Sequence, residues 1–113
     1  MTETITPTWE AKQTDETRSV VEVLNRAGFE RADAYRYNSA SIRVRVIDER
    51  FEGLSVEKRH DMVEPPSETL PDRTQGDIMS LYTFAPSELL QSHKTFRQYA
   101  LSYEFEDPSP SML

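Results

Sequence analysis

The sequence predicts a small two-layer α+β domain with the element order α-β-β-α-β-α. Three observations predict it. An amphipathic run bounded by helix-start and helix-stop residues occupies 14–28. Two β-favouring runs, joined through Asn38–Ala40, follow it directly. Helical patterning then flanks a third β-favouring run, 77–84, on both sides.

The first helix is read from "TDETRSVVEVLNRAGF", where Val20, Val23, Leu24 and Ala27 share one face. Thr14 or Asp15 can cap its start, acidic residues suit its first turn, and Gly28 stands where a glycine stops a helix. "ADAYRYN" and "SIRVRVID" read as an antiparallel strand pair. Ile42, Val44 and Val46 alternate with Arg43 and Arg45. "LSVEKRHDMVE" reads as a short helix capped by Ser55, with Val56, His60 and Val63 on one face and Pro65–Pro66 ending it. "SETLPDRTQG" is a connection with room for one helical turn, and "DIMSLYTF" is the third strand. A last helix runs from Ser87 to Tyr103, with Leu89, His93, Phe96 and Ala100 as its stripe. The helices are expected to cover one face of the sheet.

A chain of 113 residues makes one domain, predicted over 14–103. Residues 1–13 lack any apolar period and 104–113 are acidic and rich in Pro and Ser, so both read as flexible tails. The net charge of −7 divides into −3 over residues 1–17, −3 over 104–107 and −1 for the rest. A nearly neutral body lacks the basic stripe of a phosphate-tracking surface. With no cysteine, thiolate nucleophiles, thiolate metal sites and disulfides are excluded. No long apolar run or signal-peptide pattern is seen, so the expected location is cytoplasmic. No nucleophile elbow or glycine-rich phosphate loop occurs, so the chain reads as non-enzymatic and calls for no cofactor.

Two stretches carry candidate sites. Arg59 and His60 lie side by side on the second helix: His60 either packs between Val56 and Val63 or forms with Arg59 a docking surface, the arginine fork exposed to a carboxylate or phosphate. Arg43 and Arg45, with Tyr35 and Tyr37 on the neighbouring strand, combine cations and rings as an RNA-binding sheet does. The plainer reading is a solvated strand face. The backbone-clamping G-x-x-G loop of RNA-binding KH modules is missing. His93 with Asp61 or Asp77 matches no metal-ligand spacing, and His93 lies in line with Leu89 and Phe96.

Phe51-x-Gly53-x-Ser55-x-x-x-Arg59-His60-x-x-Val63, directly after an alternating strand, resembles the BolA-like family. Members carry an R-F-x-G run entering a helix with an Arg-His pair, as "RFEG" at Arg50–Gly53 and "RHDMV" at Arg59–Val63 do here. Pro86 and Glu88 in "FAPSEL" are similar to the family's Thr-Pro-x-Glu-aromatic segment. The resemblance spans roughly residues 17–92 and implies a class II KH-like domain. It also implies a non-enzymatic adaptor or regulator that pairs with a monothiol glutaredoxin-type protein in iron–sulfur and stress-related processes. The alternative it implies is a nucleic-acid-binding transcriptional regulator. Arg59 and His60 become the partner-binding residues. Members usually have a histidine ligand where Asp77 stands, and often Cys or His in the loop that here reads Tyr37-Asn38-Ser39-Ala40. A metal role would therefore fall to His60 and Asp77.

Overall fold

The computed structural model describes residues 9–90 and 96–109. Helix α1 (Asp15–Arg26) begins with a reciprocal cap. The Thr14 hydroxyl accepts from the Thr17 N–H and the Thr17 hydroxyl from the Thr14 N–H, at 3.3 and 2.9 Å. It stops at Gly28, whose φ of +95° only glycine adopts without strain. Its Val20 and Leu24 are fully buried.

Strands β1 (Arg31–Asn38) and β2 (Ser41–Ile47) pair antiparallel, with Ala34 opposite Val44, and the register slips between Arg36 and Asn38. Asn38 Oδ1 closes the turn by accepting from the Ala40 N–H and the Ser41 hydroxyl. A 3-10 turn, Glu49–Phe51, leads through Gly53 (φ +77°) to α2 (Val56–Ser67), where the Ser55 hydroxyl accepts from the Lys58 N–H. Helix α3 (Asp72–Asp77) leads into β3 (Ile78–Phe84), which pairs parallel to β2. The sheet order is β1-β2-β3, the α2–α3 segment being the crossover that parallel pairing requires. A 3-10 turn, Pro86–Leu89, and helix α4 (Phe96–Glu106) complete the described chain.

Three expectations are corrected. Helix α2 does not stop before Pro65 but includes both prolines. They delete the bonds that the Asp61 and Met62 carbonyls would accept. Bonding resumes one turn on, from the Ser67 hydroxyl to the Val63 carbonyl and from the Glu68 N–H to the Glu64 carbonyl. The buried Val63 holds the turn on the core. The connection before β3 is a six-residue helix, so Asp77 ends α3 instead of opening the strand. The last helix does not begin at Ser87: Leu90 is extended (φ −72°, ψ 137°), and α4 starts at Phe96 and runs past Tyr103. His93 lies outside the described residues.

One face of the sheet carries Ala32, Ala34, Ile42, Val44 and Val46 against Val20 and Leu24 of α1 and Val63 of α2. That much the strand alternation foretold. The other face, which was expected to be left uncovered, holds a second cluster of Trp9, Tyr35 and Phe105. Trp9 and Phe105 both fall in segments that composition reads as tails, and both are buried. No described helix is long and apolar enough to cross a membrane.

Candidate functional site

The corner between β2 and α2 is fixed from its first residue. The buried Asp48 carboxylate accepts from the Arg50 N–H, from the Arg50 guanidinium and from the Glu30 N–H, at 2.8 to 3.0 Å. Burial alone would raise its pKa, but the Arg50 bonds outweigh it and hold the carboxyl below the usual carboxylate range. Phe51 then buries its ring completely beside Phe29, with centroids 6.0 Å apart. Gly53 makes the tight turn and Ser55 caps α2. The Ser55 cap is the one expected from the sequence.

The capped helix aims Arg59 inward. Its guanidinium is not exposed: the residue is 6% accessible. Nε donates to the Leu54 carbonyl and one terminal nitrogen to the Thr83 carbonyl, both at 3.0 Å. The two terminal nitrogens also grip both Glu88 oxygens, at 2.8 and 2.7 Å. Glu88 in turn accepts from the Ala85 N–H at 2.9 Å. The Arg59 bond holds the Glu88 carboxyl below the usual carboxylate range. The expectation of a free fork for a partner is therefore corrected. Arg59 latches α2 to the end of β3 and to the turn that follows it. Glu88 is the residue that sequence reasoning left out of the site, although it stood in the family-like segment.

His60, the next residue, is half-buried and in a different position. Its Nε2 is buried with no hydrogen-bond partner among the described residues. Two grooves meet at His60, Ser80 and Leu81, where α2 faces β3. One, of about 380 Å³, is walled by Val63, Glu64, Glu68 and Ile78. The other, of about 570 Å³, reaches Val56, Phe84 and Leu101. Val56 and Met79 on these walls are 53% and 67% exposed, far more than apolar residues of the core.

Asp77 is committed elsewhere. Its carboxylate accepts from Arg36 at 2.7 Å, and Arg36 also holds Glu16 at 2.9 Å, tying α1, β1 and α3 together. Among the described residues no three His, Cys, Asp or Glu side chains are grouped to hold a metal ion. With Asp77 paired to an arginine and Asn38-Ser39-Ala40 forming the β1–β2 turn, the residues present do not fit an iron–sulfur cluster.

The sheet face of Arg43, Arg45, Tyr35 and Tyr37 is closed. Tyr35 is fully buried, and Arg45 is 3% exposed between Asp33 and Glu106. Arg43 donates to the Tyr35 hydroxyl and to Glu104, and lies 3.7 Å over the half-buried Tyr37 ring. The Phe105 ring packs edge-on against Tyr35 and Tyr82 at 4.9 and 5.6 Å. Burial pushes the Tyr35 hydroxyl up to about 12. Neither the open stacking platform nor the solvated strand face describes it. This is a second, polar-rimmed core.

No protein-family model and no curated protein matches the sequence. The solution structure of BolA1 protein from Mus musculus is similar to this chain over 100% of its length and 87% of that protein, with a TM-score of 0.57 and 18% identity. The R-F-x-G and Arg-His resemblance and this likeness in three dimensions agree: the chain has a BolA-like fold.

Proposed function

We propose that this chain is a non-enzymatic binding protein whose partner is another protein, of the monothiol glutaredoxin type by its resemblance, in iron–sulfur and stress-related processes. The observation that carries this reading is the pair of grooves along α2 and β3. They leave Val56 and Met79 exposed and the His60 Nε2 unpaired in a molecule whose other buried polar side chains are satisfied among the described residues. The partner would dock there, with His60 as a contact and Arg59 shaping the groove from inside. The chain would act as an adaptor that brings no cluster ligand of its own. The nucleic-acid reading is less well supported, because the rings and cations it needs are packed under Trp9 and Phe105.

Calorimetric titration of the chain with a purified monothiol glutaredoxin tests the proposal. Binding is expected with the native sequence and at least tenfold weaker binding with Val56→Asp/Met79→Asp, two exposed positions, with the thermal transition expected to be unchanged. A native pull-down that returns nucleic acid and no protein would overturn it.

A further inference from the structure

Among the described residues the sheet ends at β3, and no strand pairs with its outer edge. In a parallel pair, alternate residues turn both backbone groups towards the partner strand and the others turn both away. The Phe84 carbonyl accepts from the Asp48 N–H beyond β2, so Phe84 faces β2, and with period two so do Tyr82 and Ser80. Leu81 and Thr83 face outward. Arg59 already occupies the Thr83 carbonyl. The Leu81 N–H, the Leu81 carbonyl and the Thr83 N–H have no partner among the described residues. Unpaired edge groups beside exposed apolar side chains are a template for another strand.

The charge around this edge selects the strand. Within residues 9–90 every arginine side chain except that of Arg73 is in an ion pair. On α2 and its C-cap, by contrast, Glu57, Asp61, Glu64 and Glu68 repeat at helical spacing, all exposed and none in an ion pair. Glu64 and Glu68 form part of the wall of the smaller groove, which has no lysine or arginine. A second copy of the chain fits this edge poorly. Antiparallel pairing of two β3 edges about a two-fold axis would set both acidic helices on one side of the seam, like charge facing like.

We propose that an extended segment of a partner protein, with apolar and basic side chains on one and the same face, adds to β3 as a fourth strand. Its backbone would pair with Leu81 and the Thr83 N–H, and the side chains on its α2-facing side, two residues apart, would enter the groove, an apolar one beside His60 and a basic one at Glu64 and Glu68. This inference rests on the reading of the chain as a protein binder and names the mode and the chemistry of the partner segment.

The probe is a fluorescein-labelled decapeptide in which threonine alternates with valine or lysine, so that the valines and lysines share one face, titrated by anisotropy into the full chain at low salt. Binding is expected, weakened at least tenfold by exchanging lysine for glutamate or by N-methylating every peptide amide. Leu81→Pro removes an outward N–H without touching the β2 ladder and should abolish binding. Glu64→Lys/Glu68→Lys, at exposed positions, should weaken it at least tenfold with the thermal transition unchanged. Exchange of the Leu81 and Thr83 amides should slow in the complex. Binding that survives complete N-methylation would overturn strand addition. Concentration-dependent dimers that Leu81→Pro dissolves would assign the edge to a second copy and overturn the partner. No peptide binding while the glutaredoxin titration succeeds would overturn this inference alone and leave the proposed function standing.

Discussion

Replacing Arg59 with alanine removes four hydrogen bonds at once, two to the backbone carbonyls of Leu54 and Thr83 and two to the Glu88 carboxylate. The Arg59 and Glu88 side chains are 7% and 17% exposed, so water replaces these bonds poorly. Glu88 keeps only the Ala85 N–H. Breaking a buried pair by deleting one partner costs about 3–5 kcal/mol. The partial access of water to Glu88 puts this case near the lower end, about 3 kcal/mol, a large share of a total of about 5–15. With a urea slope of about 1.5 kcal/mol per molar, the unfolding midpoint should fall by about 2 M. Removing Glu88 in the same background should then cost much less than it does alone, a coupling of about 2 kcal/mol in a double-mutant cycle. A loss under about 0.5 kcal/mol for Arg59→Ala, the value of an exposed side chain, would refute the latch and restore the free fork.

Three further outcomes follow from the same packing. Phe51→Ala should cost about 3–5 kcal/mol in the same melts and Ser55→Ala about 1, since one empties a buried site and the other removes a cap. Phe105→Ala should cost about 3–5 kcal/mol, like any buried ring, although it lies in an acidic stretch that reads as tail. Because Arg59 lowers the Glu88 pKa in the folded state, the stability it adds is complete above the unfolded value of about 4.5 and fades as pH falls through the lower folded value. Melts of the native chain and Glu88→Gln should therefore differ at neutral pH and converge in acid. A gap that persists well below the folded pKa would count against this linkage.

Local pattern carried the elements whose signals are local. The Thr14 cap, the Val20–Leu24 stripe and Gly28 delimit α1 within a few residues of sequence, and the Ile42-Val44-Val46 alternation identifies β2. Proline is a weak stop signal here, because a helix near its end loses only two bonds to Pro65 and Pro66 while Val63 keeps it packed. The site was legible in identity but not in role. An Arg-His pair is visible at 59 and 60, but Arg59's partners lie 24 and 29 residues further on, and nothing local tells a buried fork from an exposed one. Alternation likewise places Arg43 and Arg45 on a common face. It is silent about Glu104 and Glu106, each 61 residues away, that cover it. The open β3 edge leaves no local mark either, since it depends on which strand pairs with which.

That 61-residue separation sets an order of events on the ribosome. The β1–β2 hairpin can form from chain complete by Ile47, and its aliphatic face can dock on α1 at once. Its aromatic and arginine face must wait until Glu104, Phe105 and Glu106 have been made, a further ~3–12 s at ~5–20 residues per second. Through that interval Tyr35, Arg43 and Arg45 lack the lid that closes over them in the finished protein. The nascent chain thus presents to its surroundings, for a few seconds only, a cationic and aromatic sheet surface that the folded molecule never shows.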